Sequence, residues 1–331
     1  MVFRFFNTVL HPERYHGHSR LSGPFFEGWY FKLIDAAEQA RYAVIPGIFL
    51  GKQGQNSEAF VQVLDGMTGR AVYHRYQTDD FCAAENAFDV RVGPNHFRAD
   101  CIRLDIDGNG QKLRGEVQFA GLSPWPVTLI SPGIMGWYGW IPAMECYHGV
   151  VSLDHALRGD ITLDGTRVDF SGGRGYIEKD WGEAFPAAYI WMQTNHFSTE
   201  RTSLTASIAI IPWRGTSFVG FISGLLHEGT LHRFATYTGA VVERLVVTDR
   251  YVEWVMRDRR QRLELWATRE RGGLLHAPVR TEMHRRVDET MQSVVGVRLI
   301  ETGGKRRTLL QDSGRVAALE VHGDVGRLLK K

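Results

Sequence analysis

Two segments of this chain place carboxylates among aromatic side chains, at spacings that could serve acid chemistry. The first runs Gly175-Tyr176-Ile177-Glu178-Lys179-Asp180-Trp181-Gly182-Glu183-Ala184-Phe185-Pro186 and continues into Tyr189-Ile190-Trp191-Met192-Gln193-Thr194-Asn195-His196-Phe197. Successive residues of a strand point to opposite faces, so Glu178 and Asp180, two apart, share one face, and so do Trp191, Gln193 and Asn195. The second is Pro24-Phe25-Phe26-Glu27-Gly28-Trp29-Tyr30-Phe31-Lys32. A carboxylate beside aromatic surface is costly unless it is paired or used, so these acids are the first place to look for a proton donor.

The Phe-Glu-Gly-Trp-Tyr-Phe-Lys and Glu-Lys-Asp-Trp-Gly…Phe-Pro…Trp-x-Gln-x-Asn segments together resemble the tocopherol cyclase family. Gly136-Trp137-Tyr138-Gly139-Trp140, followed by Ile141-Pro142-Ala143-Met144-Glu145, sits where that family has a Trp-rich middle. The likeness runs from about Tyr15 to about Phe197, with only compatible strand patterning beyond it. It implies two lipocalin-like β domains in tandem and a ring closure in which the phenol of a prenylated benzoquinol adds across the nearest double bond of its own tail. Such a reaction needs an acid that stays protonated, aromatic faces that tolerate a cation, and a dry pocket, which a barrel interior is expected to supply.

Glu178 is the first candidate for that acid, its alternative role being a structural salt bridge. Asp180 is second: plant-type members of the family carry Asn at this place, which counts against Asp180 as an obligatory donor. A neighbouring carboxylate can instead hold Glu178 protonated, because two close carboxyls resist double ionisation. Glu27 is third, with the alternative of satisfying backbone donors near Gly28. Trp29, Tyr30, Trp181 and Trp191 are the expected aromatic wall, with Trp137 and Trp140 behind them; Gln193, Asn195 and His196 are expected to orient the hydroquinone oxygens. Each of these also has a plain packing or backbone-bonding role open to it. His11, His16, His18, His148 and His155 lack the spacing of a two-ligand helix motif, so no metal is expected, and a redox-neutral cyclisation needs no cofactor.

The elements that must carry these residues read as strands. Ile161-Thr162-Leu163, Asp164-Gly165 and Thr166-Arg167-Val168-Asp169-Phe170 form a hairpin signal, because Asp-Gly accepts the positive φ of a type I′ turn. Similar signals lie at 65–69, 93–95 and 107–110. In the second half, period-two runs occur at 203–211, 218–226, 231–237, 244–248, 251–256 and 262–268, with closing strands at 293–301, 307–311 and 316–321. Residues 288–295 fit helix or strand, and helical stripes are otherwise few. An all-β fold follows, expected as two lipocalin-like barrels or sandwiches over 1–185 and 186–331.

The 331 residues, 44% hydrophobic, are enough for a large core, and the formal net charge of +2 implies no polyanionic partner such as nucleic acid. No apolar run approaches the ~18 residues of a spanning helix, and Met1 to Asn7 lacks a signal-peptide core, so a cytoplasmic protein is expected. The arginine-rich stretch 257–271 has acids interleaved and reads as a solvated hairpin, leaving weak contact with anionic membrane lipid open. Cys82, Cys101 and Cys146, odd in number and far apart, support neither disulfides nor a zinc knuckle. Ser171-Gly172-Gly173-Arg174-Gly175 precedes a strand and reads as a turn. Besides a cyclase acting on an apolar substrate, three readings stay open: a non-catalytic carrier of prenyl quinones or lipids, a hydratase that captures the same cation with water, and a stress-associated structural protein with no small-molecule ligand.

Overall fold

The computed structural model describes residues 8–20, 23–142, 144–304 and 306–329. Two antiparallel sheets account for nearly all of the regular structure. The first is built from β1 (Phe25–Ile34), β2 (Arg41–Leu50), β3 (Glu58–Asp65), β4 (Ala71–Tyr76), β5 (Phe81–Ala83), β6 (Asp89–Val92), β7 (Asn95–Arg98), β8 (Cys101–Gly108), β9 (Gln111–Ala120), β10 (Cys146–Leu163), β11 (Thr166–Asp169) and β12 (Arg174–Gly182). The second comprises β13 (Ala188–Thr194), β14 (Ser203–Trp213), β15 (Thr216–His227), β16 (Thr230–Ala235), β17 (Val241–Val247), β18 (Tyr251–Arg257), β19 (Gln261–Thr268), β20 (Gly273–Val279), β21 (Glu282–Glu301) and β22 (Arg307–Gly323). Most neighbours in each sheet are hairpin partners. The long-range pairings are few: β1 with β12 and β10 with β12 in the first sheet, β13 with β22 in the second.

Turn chemistry sets the hairpins. Asp164 and Gly165 sit at φ 49° and 88° between β10 and β11, and Asn109 and Gly110 at 53° and 70° between β8 and β9, the positive pair that a two-residue type I′ turn requires. The ambiguous stretch 288–295 is strand, inside the 20-residue β21. The runs 307–311 and 316–321, read as separate strands, are one strand, β22; its pairing to β21 shifts register where Val316 takes φ 50°, so the pattern breaks without the chain turning back.

The chain forms two compact units. One runs to Phe185 and takes in Leu274–Arg286; the other comprises Pro186–Gly273 and the chain from Val287 onward. The stretch 274–286, which lies in the second half of the sequence, groups with the first unit. Met283 packs with Phe26, Phe49 and Phe60 there, and the Gln62 side chain bonds the backbone of His276 through both its amide nitrogen (3.3 Å) and its oxygen (2.7 Å).

In the first unit the core lies on the face of β1 and β12 that carries Trp29, Phe31, Leu33 and Ile177. This interior is filled rather than hollow. Trp29 stacks on Phe88 at 5.6 Å, and Phe31 meets Phe97 and Phe119 at 5.8 and 6.0 Å. These rings stand at alternating strand positions and pack the described core of this unit. The second unit has its own core around Ile190, Met192, Leu204, Trp254, Leu265 and Leu299. A cavity of about 500 Å³ opens on it, lined mainly by apolar side chains including Ile208, Val219, Phe221, Val242, Leu245 and Leu328. The arginine-rich stretch is largely the β18–β19 hairpin, where Arg257 and Arg262 both bond Glu243, at 2.6 and 2.7 Å. Among the described residues no helix is long and apolar enough to cross a membrane.

Candidate active site

Three neighbouring strands, β1, β12 and β10, set the candidate site. In the β1–β12 register Glu27 faces Trp181, Gly28 faces Asp180, Trp29 faces Lys179, Tyr30 faces Glu178 and Lys32 faces Tyr176. Directly paired residues lie on the same face. Glu178 and Asp180 thus share a face with Tyr176, Tyr30 and Lys32, on the side turned away from the unit's core. Glu27, Trp29, Lys179 and Trp181 lie on the core side. On its other edge β12 pairs with β10, which puts His148 opposite Asp180 and Val150 opposite Glu178.

His148 joins the two acids. Its Nδ1 lies 2.8 Å from Asp180 Oδ1 and its Nε2 3.5 Å from Glu178 Oε2, and the Tyr176 hydroxyl donates to the same Glu178 oxygen at 2.5 Å. Glu178 is buried, with 6% of its side chain exposed, against 13% for His148 and 26% for Asp180. Burial alone would lower the pKa of His148, but the Asp180 and Glu178 carboxylates outweigh it and push the imidazole up to about 9. The ring is therefore an imidazolium at neutral pH. Cys146, at the start of β10, is held as a thiol, because burial and the charges of Asp180 and Glu145 raise its pKa well above the ordinary range. Lys32 is fully buried on the Glu178 face, beside Tyr176.

One ligand atom from each of His148, Glu178 and Asp180 lies within 4.8 Å of the others, close enough to surround a cation. The ring turns Nδ1 to Asp180 and Nε2 to Glu178, so a cation there would compete with the imidazole proton.

On the core side, Glu27 and Lys179 form a fully buried ion pair with Nζ 2.6 Å from Oε1. Both Glu27 oxygens also accept the His16 N–H, at 3.0 and 2.9 Å. Lys179 Nζ donates further to the Arg14 carbonyl and lies 3.3 Å from His16 Nδ1, with the Trp181 and Trp29 rings 4.4 and 5.3 Å away. Burial raises the Glu27 pKa and lowers that of Lys179, so it works against both charges, and their mutual attraction with these hydrogen bonds opposes it. Burial also pushes His16 well below the usual histidine range, with Lys179 adding to the effect, so its ring is neutral.

The structure brings together only part of the set expected from sequence. Glu178, Asp180 and Tyr30 share a face. Glu27, Trp29 and Trp181 lie behind it: Trp29 is fully buried with its indole N–H on the Glu13 carbonyl (3.0 Å), and Trp181 is held between His16 and Tyr147. Trp137 and Trp140 sit in the 3-10 turn Gly136–Trp140; Trp137 is 48% exposed and stacks on Tyr138, and Trp140 donates to the Leu129 carbonyl at 2.8 Å. Trp191, Gln193, Asn195 and His196 are buried in the second unit. There Trp191 belongs to a cross-strand row with Glu320, Glu289 and Ser207. His148, Tyr176 and Lys32 were not expected in the acid's surroundings. Tyr176 could have been found from the period-two rule, but the placing of Lys32 and His148 depends on strand pairings that local sequence does not reveal.

An all-β chain with two lipocalin-like units, one of which holds a buried carboxylate–imidazole–carboxylate group on a sheet face, is the class of protein defined here. The tocopherol cyclase-like family model matches residues 102–323, well over half of the sequence, and the chain belongs to that family. It is 26% identical over 243 residues to a probable chloroplastic tocopherol cyclase of Oryza sativa subsp. japonica, and 28% identical over 239 residues to a chloroplastic tocopherol cyclase of Zea mays. Each match covers 69% of this chain but only 50% of the plant protein, so the chain spans about half the length of these relatives. Among solved structures, CghA in complex with Sch210972 matches with a TM-score of 0.53 at 13% identity, covering 91% of this chain and 89% of that one. CghA without that compound gives a TM-score of 0.54 at 12% identity, with 91% and 88% covered. At these identities the likeness concerns the fold.

Proposed function

We propose that this protein is an isomerase that closes a chromanol ring on a prenylated benzoquinol, with Glu178 as the proton donor. The observation that carries this reading is His148 bonded to Asp180 through Nδ1 with its Nε2 3.5 Å from the buried Glu178 on one sheet face. Glu178 is buried on the face it shares with His148, Asp180, Tyr176 and Lys32, so a proton can pass between it and the imidazole within one enclosed group. In this reading Glu178 delivers the proton, and the neighbouring imidazole is the group that can resupply it.

The reaction balances without a cofactor. The Glu178 carboxyl proton adds to the less substituted carbon of the tail's nearest double bond, leaving a tertiary cation. The phenol oxygen bonds to that cation, and the phenolic proton goes to the Glu178 carboxylate, so the product is an isomer of the substrate and the acid is regenerated. Tyr30, opposite Glu178 on the same face, is the aromatic group this reading assigns to steadying the cation. The family relation to plant tocopherol cyclases supports a phytyl-type tail.

The test is incubation of purified protein with reduced phytyl- and polyprenyl-benzoquinols in detergent, with products resolved by chiral chromatography and mass spectrometry. A single-enantiomer isomeric chromanol, reduced by about 10²-fold or more in Glu178→Gln while substrate binding persists, is the expected result. A product heavier by one water would replace the cyclase with a hydratase. Substrate retained unchanged would make the protein a carrier and the acid group structural.

A further inference from the structure

We propose that the Glu27–Lys179 pair is a positioning latch, which clamps the N-terminal strap of residues 8–20 against the back of β1 and β12 and thereby fixes the acid group on the front. The inference rests on the cyclase reading for what the front face does, but not for the latch itself. Lys179 lies between Glu178 and Asp180 in sequence and points the opposite way, so whatever holds Lys179 also holds the backbone from which both acids project.

The pair is more heavily bonded than a barrel core needs. Glu27 takes the His16 N–H on both oxygens while Lys179 takes the Arg14 carbonyl, so two backbone groups of the strap end on the two charges. The strap is tied nearby at other points: Trp29 donates to the Glu13 carbonyl, and the His16 ring stands edge-on to Trp181 at 4.4 Å. Pro12 packs against Gly149, where a side chain would meet the Pro12 ring at 3.1 Å and Trp181 at 3.2 Å. Gly149 follows His148 directly. The strap therefore backs both strands that carry the acid group, β10 next to His148 and β12 between Glu178 and Asp180. A purely apolar anchor would fill the same space without fixing direction, whereas an ion pair with directed hydrogen bonds admits one arrangement. Glu27 and Lys179 touch no reacting atom in this scheme; they act through β12.

The test compares the full chain with the double variant Glu27→Gln, Lys179→Met, which removes both buried charges together and nearly keeps their volume. It reads three things: tryptic cleavage after Arg14 and Arg20, the ring 1H–15N signals of His148 (assigned by their loss in His148→Asn), and turnover of the quinol. The expected result is a folded protein whose strap is cleaved about tenfold faster, because the open form is more populated. The His148 signals should move, and kcat should fall about tenfold with KM little changed, as displacement of a catalytic group predicts. His16→Pro is the second variant; it leaves both charges in place but removes the N–H that Glu27 accepts, together with the ring that stands on Trp181, and it should show the same three changes. Faster cleavage with unmoved His148 signals and unchanged kcat would overturn the proposal, leaving a strap that only adds stability. Cleavage as slow as in the parent protein would overturn it too, since the pair would not be what holds the strap. If the parent protein forms no chromanol and the His148 signals still move in both variants, the latch stands and the cyclase reading falls.

Discussion

Replacing His148 by Gln should remove a specific dependence of stability on pH. In the folded protein the His148 pKa is raised from 6.5 to about 9: burial opposes the charge, and Asp180 and Glu178 more than compensate. A raised folded pKa means that the native state binds the proton more tightly than the unfolded chain. The resulting stabilisation is complete below pH 6.5 and is lost as the pH rises through about 9. The difference of about 2.5 pH units, at 1.36 kcal/mol each, amounts to ~3 kcal/mol. The side chain is only 13% exposed, so solvent screening takes little from this. The assay is equilibrium urea unfolding of the parent protein and His148→Gln at several values between about pH 6 and about pH 10, followed by far-UV circular dichroism. Lysines and tyrosines titrate alike in both proteins and cancel in the difference, and Cys146 stays a thiol in this window because its pKa is also raised. The parent protein's advantage over the variant should shrink by ~3 kcal/mol across that range. A constant advantage would refute the imidazolium held between the two acids.

His155 should show the opposite dependence. Burial lowers its pKa from 6.5 to about 3, so the stability it contributes is present above pH 6.5 and is lost as the pH falls towards 3. In His155→Gln the fall in stability between about pH 6.5 and about pH 4 should be shallower, and an equal slope in both proteins would contradict this; His16, also lowered, leaves some acid sensitivity in either case. Gly175→Ala should destabilise by ~1–3 kcal/mol, because the added methyl would sit 2.2 Å from His155 Nε2. That ring is wedged against Phe119 at 4.7 Å. An unchanged melting temperature in Gly175→Ala would mean that the ring has room to move.

What could be read from sequence was whatever depends on near neighbours. Period-two runs gave the strands, Asp164-Gly165 and Asn109-Gly110 gave turns, and the two-residue spacing of Glu178 and Asp180 correctly put them on one face. Alternation does not say which face meets the core. In Ile177-Glu178-Lys179-Asp180-Trp181 each face has charge, and hydrophobicity alone cannot rank Lys179 with Trp181 against Glu178 with Asp180. The choice is made by β1, about 150 residues earlier, whose Glu27 supplies the counter-charge that makes Lys179 a core residue. It is made equally by His148 on β10, whose charge suits the other side to the two acids. Two charged groups on opposite faces of one strand thus settle each other's place. If Lys179 were turned outward, Glu27 would be buried without a partner and the Glu178–Asp180 pair would enter the core without His148. A one-residue slip of β12 exchanges both environments at once, so the register is held by two buried charge groups as well as by side-chain volume.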